Sequence, residues 1–160
     1  MFQLFTSLVA TKPPVILVPG LYGSRLVATY GQGFSKHWFC PKELHNDIFW
    51  VNPIVFVPPF YHCLVEMLEC RYYPENQTVG SVPNINIEVP DFGGVDHLGY
   101  VDTGIFGQHI YETLQKLIEE LHRNNYTTYQ DLFGAPYDWR RAIVWVEAEY
   151  YPKLKDLIET

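Results

Sequence analysis

Apolar and polar positions divide this chain into short unbroken runs, one alternating stretch and one helical stripe. After Lys12-Pro13-Pro14, the run Val15-Ile16-Leu17-Val18 has no polar interruption. That is the pattern of a strand buried on both faces, as in an α/β sheet. It stops at Pro19-Gly20 and continues as Leu21-Tyr22-Gly23, where Pro cannot extend a ladder and Gly permits a sharp reversal. Ile85-Asn86-Ile87-Glu88-Val89 alternates and ends at Pro90, predicting a strand with one solvated face; Asp91 to Gly94 follows as a loop. Ile110, Leu114, Leu117, Ile118 and Leu121 repeat at helical spacing and predict a helix from Ile105 to Arg123. Asp102 or Thr103 would cap it and Asn124-Asn125 would end it. A short strand is expected around Asp131 to Gly134. A last amphipathic stretch from Val144 to Ile158 carries Pro152, where it would kink or begin. Strands alternating with helices favour an α/β fold.

Phe34 to Tyr73 breaks this order. It holds 10 aromatic residues, four prolines and all three cysteines with little periodicity, and reads as an irregular inserted cap. With 48% hydrophobic and 18% charged residues among 160, the chain is a folded domain rather than a disordered one. Its net charge of −7 arises in the second half, and it carries no basic stripe, so nucleic acid is a poor partner. The apolar run Ile48 to Phe60 contains Asn52 and three prolines and is too short to span a bilayer. Met1 to Ala10 is apolar but lacks a basic start and the usual length of a leader; residues 1–11 are assigned as a signal-peptide remnant. Asn76-Gln77-Thr78 and Asn125-Tyr126-Thr127 are glycosylation sequons. Leader remnant and sequons together point to the secretory route.

The candidate chemistry is sparse. Cys40, Cys63 and Cys70 match no zinc spacing, and none of the six histidines pairs at the spacing of a helical metal site; His109 and His122 read as surface residues flanking the helix. Asp138 and Arg140 read as an ion pair bracing a turn. Of four serines, none lies in Gly-x-Ser-x-Gly, where a strained turn exposes the hydroxyl to a base. Ser24, after the Pro-Gly turn, has glycine on one side only and reads as a helix cap or phosphate-type contact.

Four landmarks in order carry a family resemblance. Val15 to Leu26, through Val18-Pro19-Gly20, resembles the opening strand and loop of the lecithin:cholesterol acyltransferase family, which includes lysosomal phospholipase A. Trp38-Phe39-Cys40 is similar to the start of that family's lid. Val89-Pro90-Asp91-Phe92-Gly93 resembles its Val-Pro-Gly-Phe-Gly loop, with Asp91 in place of glycine. Gly134-Ala135-Pro136-Tyr137-Asp138-Trp139-Arg140 resembles its most distinctive motif.

The resemblance implies an α/β-hydrolase that moves acyl chains from phospholipid to water or to an alcohol by a Ser-Asp-His triad. It implies no metal and no cofactor. The triad would follow Thr160, so the chain is read as the N-terminal part of an incomplete α/β-hydrolase fold over 12–160, with 34–85 as an aromatic cap or lid, and as inactive alone. The family's oxyanion-hole donor falls on the backbone N–H of Leu21, against the plainer reading of a tight turn. Phe92 would face the acyl pocket, or pack as ordinary core. Trp38 would touch phospholipid or a membrane surface, or pack beneath the lid. The resemblance also implies a lid disulfide between Cys40 and Cys63, leaving Cys70 free; pairing Cys63 with Cys70 would need a tight reversal between them. The alternative function is a non-catalytic module that binds a lipid or membrane surface.

Overall fold

The computed structural model describes residues 12–100, 111–141 and 143–159. Strand β1 (Val15–Leu17) pairs in parallel with β7 (Leu132–Gly134), Leu17 opposite Gly134. Both are short and apolar, and Val15 N–H to Asp131 O and Ala135 N–H to Leu17 O extend the ladder by one bond at each end. Contrary to the expected strand buried on both faces, only Leu17 is buried and Val18 is exposed, because among the described residues β1 pairs with β7 alone. A second sheet has the order β3-β2-β6, all antiparallel, from β2 (Leu26–Tyr30), β3 (Leu44–Trp50) and β6 (Ile85–Glu88). The hairpin of β4 (Cys70–Tyr73) and β5 (Thr78–Ser81) makes the third. The mixture of helices and small sheets fits an α/β fold.

The aromatic-rich segment is more regular than its lack of periodicity predicts. It supplies β3, a 3-10 turn (Pro53–Phe56), α1 (Tyr61–Leu68) and β4. Two register shifts between β2 and β3 disturb the strand's alternation, which hides the pattern of period two. Cys63, Leu64 and Met67 turn inward from α1 and join Leu26, Ala28, Tyr30, Phe49, Ile85 and Trp139 in the larger core. Cys40 and Cys63 are disulfide-bonded, with Cα atoms 5.6 Å apart, and Cys70 is free. Burial raises the Cys70 thiol above its ordinary pKa.

The smaller core joins Leu17 and Leu132 to Val95, Leu98 and Ile118. Ile118 comes from α2 (Gln115–Arg123), which is shorter than the predicted helix. Ile105, His109, Ile110 and the expected caps Asp102 and Thr103 lie outside the described residues. At residues 111–114 the helix is replaced by a tie to the preceding loop. Thr113 gives its N–H to Gly99 O (2.9 Å) and its hydroxyl to the carbonyls of Leu98 and Gly99. A threonine that satisfies distant carbonyls in this way competes with helix formation. The predicted end at Asn124-Asn125 is where α2 stops: Asn124 Nδ2 donates to Glu120 O (2.8 Å), and Asn125 takes φ 63°. Leu117, placed on the apolar stripe by spacing, is exposed, whereas Leu114 and Leu121 pack against the core. The final helix, α3 (Ile143–Glu159), contains Pro152 within its span rather than beginning there.

Candidate functional site

Two loops converge after β1 and β7. The first begins at Pro19-Gly20, where Gly23 N–H donates to Gly20 O (2.9 Å) and Tyr22 takes φ 67°. A Cβ on Gly23 would stand 3.0 Å from Gly20 O and 3.1 Å from Pro19 Cβ, so the tight turn favours glycine there. Leu21 at its tip is 64% exposed. Among the described residues its N–H has no hydrogen-bond acceptor.

Ser24 ties this loop to the second one. It is fully buried, and its Oγ accepts the Tyr137 N–H at 3.0 Å while its carbonyl accepts Trp139 Nε1–H at 3.1 Å. Ser24 therefore caps no helix and presents no hydroxyl to solvent, which corrects both readings made from its neighbours. Ser24→Ala should leave the part-buried Tyr137 N–H unpaired at a cost of about 1 kcal/mol, visible as a lower urea midpoint. An unchanged midpoint would mean that the loops are not joined here.

Aromatic rings close the junction. Tyr22 lies edge-on to Trp139 (4.6 Å between centroids) and tilted against Trp50 (5.6 Å), and the two indoles are 4.7 Å apart. Trp50 Nε1–H donates to Tyr22 O at 3.0 Å. On either side of Trp139 in the chain, Asp138 and Arg140 form a two-point ion pair, Nε to Oδ1 2.9 Å and Nη2 to Oδ2 2.6 Å. Arg140 continues to Met67 O and Ser81 Oγ, both at 3.2 Å, so the pair braces the loop against α1 and β5.

Asp91 stands where the resembling loop has glycine, and its backbone nonetheless takes φ 64°. Asp is among the few residues that tolerate this region, and its carboxylate is held locally. Oδ1 accepts the Tyr129 hydroxyl at 2.6 Å and Oδ2 the Asp96 N–H at 3.1 Å. That hydrogen bond, followed by the carboxylate's charge, raises the Tyr129 phenol above its ordinary pKa. Gly93 N–H donates to Gly134 O at 2.8 Å, joining the Asp91 loop to β7.

Phe92 lies edge-on to Tyr150, 6.1 Å between centroids, in a cleft of about 340 Å³ shared with Ile87, Val89, Pro136, Tyr137 and Arg141. Burial, then Tyr137 and Tyr151, push the Tyr150 phenol to about 12. It thus remains a donor to Ala135 O (2.7 Å). Arg141 donates to Glu149 and so holds that carboxyl below the usual carboxylate range. This tie is complete above pH 4.5, the carboxyl's ordinary value, and is lost as pH falls through the lowered one.

The other candidates stand apart from these loops. Trp38 is 91% exposed, touching Phe39 edge-on at 5.8 Å. Asn76 lies in the turn between β4 and β5, and Asn125 follows α2; both are exposed. His122 contacts Thr128 Oγ1 (3.1 Å) at the surface. Among the described residues no group of three or more His, Cys, Asp or Glu converges on a metal position. No described helix is long and apolar enough to cross a membrane.

A sequence model of the lecithin:cholesterol acyltransferase family matches residues 45–160. The chain belongs to that family. It is 32% identical over 148 residues to the phosphatidylcholine-sterol acyltransferase of Mus musculus, a match covering 91% of this chain and 32% of that protein. With the phosphatidylcholine-sterol acyltransferase of Homo sapiens the identity is 31%, with the same coverage of each. With the lysosomal phospholipase A and acyltransferase of Bos taurus it is 29% over 150 residues, 93% of this chain and 36% of that protein. The chain spans about a third of the length of the curated relatives it matches.

Trp50, Tyr22 and Tyr129 were not singled out by sequence reasoning. Trp50 and Tyr22 carried only an aromatic signal, and Tyr129 lies 38 residues from its partner Asp91.

Proposed function

We propose that this chain is the N-terminal part of a lipid O-acyltransferase or phospholipase of the lecithin:cholesterol acyltransferase type. In that reading it transfers acyl groups from phospholipid to an alcohol or water on an α/β-hydrolase fold, with 34–85 as its cap or lid. The observation that carries the reading is the Ser24 junction, which brings the Pro19-Gly20 loop and the Ala135-to-Arg140 loop together behind an exposed Leu21. The Leu21 N–H acts as one oxyanion-hole donor. In a complete site such a donor stabilises the charge developing on the ester carbonyl by about 3–4 kcal/mol. A serine nucleophile, a histidine that moves its proton and an aspartate that orients the histidine come from outside these residues. Phe92 lines the acyl cleft, and Trp38 meets the phospholipid or membrane surface. The Cys40–Cys63 bridge holds the lid, Asn76 and Asn125 are glycosylated, and the protein follows the secretory pathway to an extracellular or lysosome-like location.

The second reading is a non-catalytic module that binds a lipid surface. It is favoured by the exposed apolar side chains of Trp38, Ile54, Val57 and Val65. Sequencing the transcript separates the two. A frame continuing into Gly-x-Ser-x-Gly within about 30 residues supports the enzyme, and a stop codon with expressed product supports the module. The 160-residue chain should hydrolyse no p-nitrophenyl butyrate above background. Turnover by this chain alone would overturn the assignment of the nucleophile elsewhere.

Both readings predict that the chain sediments with phosphatidylcholine vesicles and that Trp38→Ala weakens this about ten-fold, since Trp38 has a large apolar surface to bury. Equal binding by the variant would remove Trp38 from the lipid surface.

A further inference from the structure

The strand β3 ends at Trp50, opposite Leu26 of β2, and this register carries an indole from the aromatic segment to the Pro19-Gly20 loop. Its N–H is bonded to Tyr22 O (3.0 Å), and the Trp139 N–H to Ser24 O (3.1 Å). Two indoles from separate segments thus hold alternate carbonyls of one short turn. Between those carbonyls lies the Gly23 N–H, closed onto Gly20 O, and the Tyr22 ring packs on both indoles. A residue at φ 67° occupies a sparsely populated conformation that persists where its surroundings hold it. Each of the two carbonyl bonds fixes a peptide plane, and together they leave the turn little freedom to rotate Leu21.

We infer that Trp50 is a positioning residue, whose indole N–H, acting with that of Trp139, sets the orientation of the turn bearing Leu21. Its catalytic meaning rests on the proposed role of the Leu21 N–H; the clamp itself does not. Trp50 reacts with nothing. It removes the rotational freedom that an oxyanion donor would otherwise have to lose in the transition state.

The test is backbone amide exchange in the 160-residue chain, comparing wild type with Trp50→Phe, which keeps an aromatic ring and deletes the donor. Loss of one hydrogen bond should speed exchange at Gly23 about five-fold, while Val27 to Tyr30 in β2 exchange as before. Exchange at Gly23 within about two-fold of wild type, or equal acceleration throughout β2, would overturn the clamp. Should the variant fail to fold, the wild-type Trp50 indole proton decides. Slow exchange supports the clamp, and exchange at the rate of free indole overturns it. In any longer product of the transcript that turns over ester, Trp50→Phe should lower kcat about ten-fold with KM unchanged. A loosened turn with unchanged kcat would withdraw Leu21 as the oxyanion donor and leave the clamp standing.

Discussion

Gly134→Ala should destabilise the protein by about 3 kcal/mol and lower its thermal midpoint by about 10 °C. A Cβ there would overlap the carbonyl oxygen of Gly94 and stand 2.7 Å from Leu98 Cδ1. The leucine tip has some room to move, but the backbone does not. Gly93 and Gly134 exchange both amide bonds, at 2.8 and 3.3 Å, and Ala135 N–H is bonded to Leu17 O. Retreat from the methyl group on either side breaks part of this ladder. The damage should also travel, because the same chain runs three residues on to the Tyr137 N–H that Ser24 accepts. Gly31→Ala is the matched control, with no atom within 4 Å of its added Cβ. Differential scanning calorimetry on both variants checks the expectation. A Gly134→Ala midpoint equal to that of the Gly31→Ala control would sink it.

How far such contacts are legible in the sequence depends on whether the cause is local. Val15 to Leu17 declare a strand because an unbroken apolar run is stopped by Pro-Gly, though not its half-exposed state, and Ile85 to Glu88 declare a half-solvated one by alternation. Both causes lie within a few residues. The N-terminal limit of α2 was not legible, because it depends on Thr113 finding the carbonyls of Leu98 and Gly99, 14 or 15 residues away. Trp50 was obscured for a similar reason. Its meeting with Tyr22 follows from the register of β3 on β2, and two irregularities in that pairing break the alternation from which register could be read. Asp91 lies between these cases. Replacement of a glycine by a short polar residue retains access to positive φ, so the turn survives, but the supporting Tyr129 hydroxyl is non-local. The candidate site follows the same division. Its loops were marked by Pro-Gly and by Ala-Pro-Tyr-Asp-Trp-Arg, while the bonds joining them through Ser24 span more than a hundred residues.

The double substitution Cys40→Ala/Cys63→Ala should cost about 3 kcal/mol, the conformational entropy returned to the unfolded chain when a link across 23 residues is cut. That loss would concentrate on one part of the molecule. Both cysteines are buried in the larger core, with the side chains of Phe49, Leu64 and Met67 around them. The bridge fastens the start of the aromatic segment to α1, across β3. Without it, α1 and β3 can fluctuate away from β2, and Trp50 at the end of β3 would lose its hold on Tyr22. Urea unfolding measures the total loss, and amide exchange locates it in β3 and α1 rather than in the β1–β7 pair. Reduction of the wild-type chain should reproduce both effects. Cys70 provides an internal check, because burial raises its thiol above the ordinary value, lowering the thiolate fraction further, and the thiolate is the form that attacks a disulfide. It should react slowly with iodoacetamide in folded protein and exchange little with the bridge. Non-reducing peptide mapping that recovers a Cys63–Cys70 peptide, or unfolding midpoints that coincide with and without the bridge, would overturn this account of the segment.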